Sequence, residues 1–189
     1  MHKGRLEAFT DGVVAIIITI MVLEMKVPEG ASFEAMLERL PIFLAYALSF
    51  TNVGLFWGNH HHMLQVVKHV DGKVLWANLF LLFWLSLVPF VIRWMDDTHF
   101  AALPTASYGA VLALAAIGYI MLEYWLIAAN GRDSALAKAV GGDRKAKLSL
   151  VMYVAAVPLA FVSPWIAIGL YVATALMWFV PDRRIEKIL

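Results

Sequence analysis

Apolar runs long enough to cross a bilayer recur along a chain of only 189 residues, and they limit its folds more than any motif does. About 20 residues are needed to cover about 30 Å of hydrocarbon. Six segments qualify. The first covers residues 6–25 and stops near KVPEG, where Pro28 and Gly30 break a helix. The second, 40–64, runs from LPIFLAYALSF into NHHHML, and the third, 74–95, is VLWANLFLLFWLSLVPFVIRWM. A fourth, 104–129, opens on Pro104, a favourable residue at a helix start. The stretch 147–180 is too long for one span, and the breaker FVSPW at 161–165 divides it into two short helices. With 62% hydrophobic and only 15% charged residues, a soluble surface is out of reach for a fold of this size. The predicted class is all-α, a polytopic membrane protein whose residues 1–189 form a single six-helix transmembrane domain.

Charge placement gives the orientation. Twelve of the 15 Lys and Arg residues fall in the amino terminus, the second-to-third loop, the fourth-to-fifth loop and the carboxyl tail; the other side holds Lys26, Arg39 and Arg93. The positive-inside rule then puts both termini in the cytoplasm, as an even number of spans requires. The first external loop is acidic, with Glu24, Glu29, Glu34 and Glu38, and SFEAMLERL reads as a short amphipathic helix capped by Ser32. Because the amino terminus runs directly into a span containing an aspartate, without a small-residue cleavage site, it reads as a retained helix rather than a cleaved signal. The loop at about 130–147 reads as a solvated linker. Cysteine is absent, which excludes disulfides, thiolate metal sites and cysteine nucleophiles. A net charge of +1 gives no electrostatic basis for a nucleic-acid partner.

Helical periodicity divides the first span into faces. Phe9, Val13, Ile16, Ile20 and Leu23 form one stripe; Ala8, Asp11, Gly12, Ala15 and Thr19 form a small, polar surface that suits close helix approach. The aliphatic stripe is open to three readings: lipid contact, core packing, or the lining of a narrow pore at the axis of several subunits. Asp11 is more restrictive. An ionisable group inside a span is costly and pairs within the bundle. Arg5, six residues earlier, points to a different side and can snorkel toward the interface. Both are expected to pair with other helices.

The run FWGNHHHML supplies candidates, and a hydrogen bond from one of its histidines to Asp11 is expected. A metal site is not: His60, His61 and His62 project about 100° apart and cannot converge on one tetrahedral ion. Gly54 and Gly58 have the small-xxx-small form used for close packing, and Asn78 is placed to join the polar network. Pro89 is expected to bend the third helix. Glu123, beside Tyr124 and Trp125, reads as an interfacial carboxylate in an aromatic belt. Enzymatic chemistry finds no phosphate-cradling loop, nucleophile elbow or HExxH motif, and no cofactor is expected. A proton-coupled secondary transporter stays open as an alternative, with Asp11 and His60 as relay groups. Internal halves and paired broken helices, common in transporters, are not visible.

RLEAFTDGVVAIIITIMVLEMKVP resembles the first-helix signature of the transmembrane protein 175 family, the lysosomal potassium channels and their bacterial homologues. That signature, Arg, three residues, then Phe-Ser-Asp, is carried by Arg5, Phe9, Thr10 and Asp11, with Thr10 retaining the hydroxyl of the usual serine. Trp57 and His60 are similar to the family's Trp-x-x-His segment, and Asn78 and Pro89 to its third helix; the later helices match by hydropathy alone. The resemblance implies a cation channel without a TVGYG filter, built as a homotetramer in the bacterial inner membrane, with potassium ions and membrane lipid as its partners. By position it implies a pore constriction of Ile16, Ile20 and Leu23, with Thr19 as polar neighbour and Glu24 as a cation-attracting mouth. Arg5, Phe9, Thr10, Asp11, Trp57, His60 and Asn78 would anchor the lining helix.

Overall fold

A computed structural model describes residues 3–140 and 144–179 of the chain. The basic carboxyl tail with Arg183, Arg184 and Lys187, and the Gly141-Gly142-Asp143 stretch of the expected linker, lie outside the described residues. In chain order the helices are α1 (Lys3–Leu23), α2 (Phe33–Glu38), α3 (Leu40–Val66), α4 (Gly72–Ser86), α5 (Val88–Asp97), α6 (Ala102–Asn130), α7 (Ala135–Val140), α8 (Arg144–Ala160) and α9 (Pro164–Phe179). Among the described residues four stretches are long and apolar enough to cross a membrane: Lys3–Leu23, Leu40–Val66, Gly72–Asp97 and Ala102–Asn130. The last two helices, at 17 and 16 residues, are shorter than a full span at 1.5 Å per residue.

Proline and serine place most of the breaks. Pro89 has no N–H to donate and its ring crowds the carbonyl four residues back, so the third apolar segment breaks at Leu87, with Pro89 in the first turn of α5. Pro164 does the same between α8 and α9, at the breaker read from the sequence. Ser32 caps α2, accepting from the Ala35 amide at 3.2 Å, as expected for the amphipathic loop helix. The linker is less featureless than its composition suggests, because Ser134 accepts from the Ala137 amide at 3.3 Å and starts the short helix α7.

At the centre of the core, α6 buries Leu112, Ala115, Ala116, Leu122 and Leu126 between α4 on one side and α8 and α9 on the other. Lipid offers little hydrophobic drive between apolar helices, so close packing and polar contacts must hold them. Small residues supply the first: Ala156, Ala160, Ala167 and Ala175 are buried on α8 and α9. Tyrosines supply the second. The Tyr108 hydroxyl meets Ser49 Oγ at 2.8 Å, joining α6 to α3, and Tyr171 donates to the Thr105 carbonyl at 2.9 Å, joining α9 to α6. At one end of the bundle Asn130 Oδ1 accepts from the Lys68 and His69 amides, both at 2.9 Å, tying the loop after α3 to the end of α6.

The glycines used for close approach are not the ones the spacing singled out. A Cβ at Gly12, Gly54 or Gly58 would meet nothing within 4 Å, because those positions face outward from the chain rather than into a helix contact. Gly109 makes room for the Tyr171 hydroxyl, and the close backbone contact is at Gly118, where a Cβ would stand 2.8 Å from Leu81 Cα on α4. Backbone cannot yield as a side-chain tip can. Gly118→Ala is therefore expected to force α4 and α6 apart and cost about 1–3 kcal/mol, read as a lower melting temperature in detergent, whereas Gly54→Ala is expected to leave it unchanged.

Candidate functional site: the first helix and its polar pins

In α1 one face is buried and the other is free. Leu6, Thr10, Val14, Ile17 and Met21, at three- and four-residue spacing, pack inward. Both stripes read from the sequence are outside this face. Phe9, Ile16, Ile20 and Leu23 are 51%, 58%, 40% and 79% exposed, Ala8, Gly12, Ala15 and Thr19 are exposed beside them, and Asp11 and Val13 are half-buried. Core packing within the chain is thereby set aside for Phe9, Ile16, Ile20 and Leu23, whereas Val13 of the same stripe packs against the edge of the core. The Thr19 hydroxyl turns back onto its own helix, donating to the Ile16 carbonyl at 2.9 Å.

The amino-terminal half of α1 is pinned by polar contacts to two helices. Asn78 Nδ2, on α4, donates to Thr10 Oγ1 at 2.9 Å, and Asn78 Oδ1 lies 2.8 Å from His60 Nε2 on α3. Since the amide oxygen can only accept, that imidazole nitrogen carries the proton. All three side chains are buried. Beside them Trp57 Nε1 donates to Asp11 Oδ1 at 2.7 Å. The expected histidine bond to Asp11 is therefore made by tryptophan instead: Thr10 and Asp11 diverge by about 100°, so that His60 serves the threonine branch and Trp57 the aspartate.

His61 stacks on Trp57, with ring centroids 5.8 Å apart, and its Nδ1 lies 3.1 Å from Glu7 Oε1. The neighbouring histidines thus have separate partners. Lys3, not singled out by the sequence, donates to the carbonyls of Leu64, Gln65 and Val67 at 3.1, 3.3 and 3.1 Å, where α3 ends and its carbonyls lack intrahelical partners. Its signal was a cation opposite a helix carboxyl terminus, which appears only once the two ends are known to meet.

Two expected anchors stand apart from this network. Phe9 faces an open cleft with Trp76 and Phe80 of α4, and Arg5, exposed at the foot of the same face, makes no side-chain hydrogen bond or ion pair among the described residues. At the other end of α1, Glu24 Oε2 is 3.3 Å from the Arg93 guanidinium, so its charge is shared rather than free. Asn78→Leu would leave the buried Thr10 hydroxyl and His60 Nε2 without partners. It is expected to cost about 2–4 kcal/mol, measured as loss of thermal stability in detergent; an unchanged melting temperature would contradict the pin.

Comparison with known proteins follows the same residues. The sequence profile of the family described as endosomal/lysosomal potassium channel TMEM175 matches residues 5–89, from Arg5 through Asn78 to Pro89. A potassium channel of Chryseobacterium sp. (strain P1-3) is 53% identical over 189 residues, covering 100% of this chain and 98% of that one. Another, from Streptomyces collinus, is 31% identical over 176 residues, covering 86% and 84%. The crystal structure of a lysosomal potassium-selective channel TMEM175 homolog from Chamaesiphon minutus superposes with a TM-score of 0.81 at 26% identity, covering 95% of this chain and 97% of that one. Identity that extends over the whole chain, a shared fold and a profile match that begins in the pinned helix together make this integral membrane protein a member of the TMEM175 family.

Proposed function

We propose that the protein is a potassium-permeable channel of the bacterial inner membrane, a homotetramer in which four copies of α1 surround the ion path. The chain crosses the membrane six times, α8 and α9 making two short crossings, with both termini cytoplasmic. Bacterial relatives are named potassium channels and animal ones endosomal/lysosomal proton channels; all are named for ion conduction and none for catalysis. One observation carries the reading. The first helix is fixed on one side by buried polar pins and packing, while the other side leaves Ile16, Ile20 and Leu23 exposed among the described residues.

Four copies of a branched side chain make a narrow apolar ring, which closes by losing its water and opens with a small helix rotation or dilation. The open ring admits water but strips part of an ion's hydration shell, so the cost of that stripping becomes the point of discrimination. Thr19 offers its oxygen beside the ring. Glu24, partly neutralised by Arg93, gathers cations at the mouth by the field that remains. Arg5, without a partner in its own chain among the described residues, is available to a neighbouring copy at the foot of α1.

The transporter alternative needs Asp11 and His60 to pass a proton between them. Asp11 is held by Trp57, and His60 by Asn78, so the two groups belong to separate hydrogen bonds. Passive flux is favoured by that separation. Ile16→Asn, which lets the ring hold water, is expected to raise potassium flux into liposomes about tenfold, equivalent to about 1.4 kcal/mol off the barrier, with the tetramer intact. Flux unchanged in both Ile16→Asn and Leu23→Asn would contradict the pore assignment.

A further inference from the structure

We propose that Arg93 is a latch for the carboxyl-terminal half of α1 and so sets how tightly the ring at Ile20 and Leu23 closes; this rests on the pore reading above. The polar ties of α1 are unevenly spread. Lys3, Glu7, Thr10 and Asp11 bind other helices within its first half. Beyond Asp11 the contacts with neighbouring helices are apolar, through Val14, Ile17 and Met21, until Glu24, just past the helix end. Both hydrogen bonds there come from Arg93 on α5: Nη1 donates to the Glu24 carbonyl at 3.0 Å and to Oε2 at 3.3 Å.

The guanidinium is aimed by its own helix. Asp97, four residues on, accepts from Arg93 Nε at 3.0 Å, and Lys26 pairs with the same carboxylate. A cation held at the end of a helix also complements its dipole. Apolar contacts between pins and latch can slide without stranding a polar group. Val13, Ile16 and Ile20 border an open cleft against Pro89 and Phe90, which leaves α1 room to lean toward α5. The break at Leu87 lets α5 carry the latch with some freedom from α4. Side chains of Arg93, Glu24 and Asp97 are 35%, 42% and 40% exposed, so the clamp exchanges with water. Such a contact suits a two-position element better than a permanent staple.

The test uses the full-length protein in liposomes. Arg93→Gln is expected to raise potassium flux per tetramer about threefold or more, the scale of a helix-terminus charge contact, and Arg93→Lys to return part of the way. Because the chain has no cysteine, Glu24→Cys with Arg93→Cys can be bridged by a bis-thiosulfonate reagent. Bridging is expected to lower flux, and reduction of the same preparation to restore it. If Ile16→Asn raises flux while Arg93→Gln and bridging leave it unchanged, the latch is overturned and the pore stands; if Ile16→Asn and Leu23→Asn both leave flux unchanged, both fall. Should Arg93→Gln fail to assemble, bridged against reduced protein decides the question alone.

Discussion

The hydrogen-bonded chain from Thr10 through Asn78 to His60 is the contact on which the arrangement of α1 depends. In hydrocarbon a buried polar group has no water to fall back on, so each member is committed to the others. Three helices are joined at one level by side chains that contribute little apolar area. Together with the Asp11 bond to Trp57, this fixes the azimuth of α1 as well as its position. Rotating the helix would break polar bonds on one side before it gained anything on the other. The exposure of Ile16, Ile20 and Leu23 is a consequence of that fixed azimuth.

The rest of the chain forms a scaffold of different character. α6, α8 and α9 meet through alanines and tyrosine hydroxyls, and α4 touches α6 at Gly118 without room for a methyl group. Such an assembly is rigid because small residues leave few alternative packings. Set against it, α1 contrasts along its own length: polar pins in its first half, apolar contacts in its second, and a partly exposed ion pair past its end. The proposed gate would need one part fixed and another able to move, and α1 carries its polar pins in one half and apolar contacts in the other.

Much of this was legible in the sequence, for physical reasons. The placement of the apolar helices follows from apolar length, and several of their breaks from Pro89, Pro164 and Ser32, which act locally. That Asp11, a histidine and Asn78 would share a polar network followed from depth and from the cost of polar groups in lipid; Thr10 and Trp57 entered through the family resemblance, and which residue met which followed from neither. Whether His60 or Trp57 takes Asp11 turns on about 100° of helix azimuth, and a sequence leaves the mutual rotation of two helices unspecified. The same gap explains Gly54 and Gly58, whose spacing fits close packing but whose face lies outward. Lys3 and Arg93 were missed because each caps a helix end that is distant in sequence.

The pore assignment is tested most directly by single cysteines introduced at Ile16, Ile20 and Leu23, in a chain with no thiol of its own, and challenged during potassium current recording with a water-soluble, membrane-impermeant thiol reagent. The account predicts that all three react and that reaction blocks the current, whereas a cysteine at the exposed Val154 of α8 leaves it untouched. Current undiminished at all three α1 positions, with block from α8 instead, would contradict it.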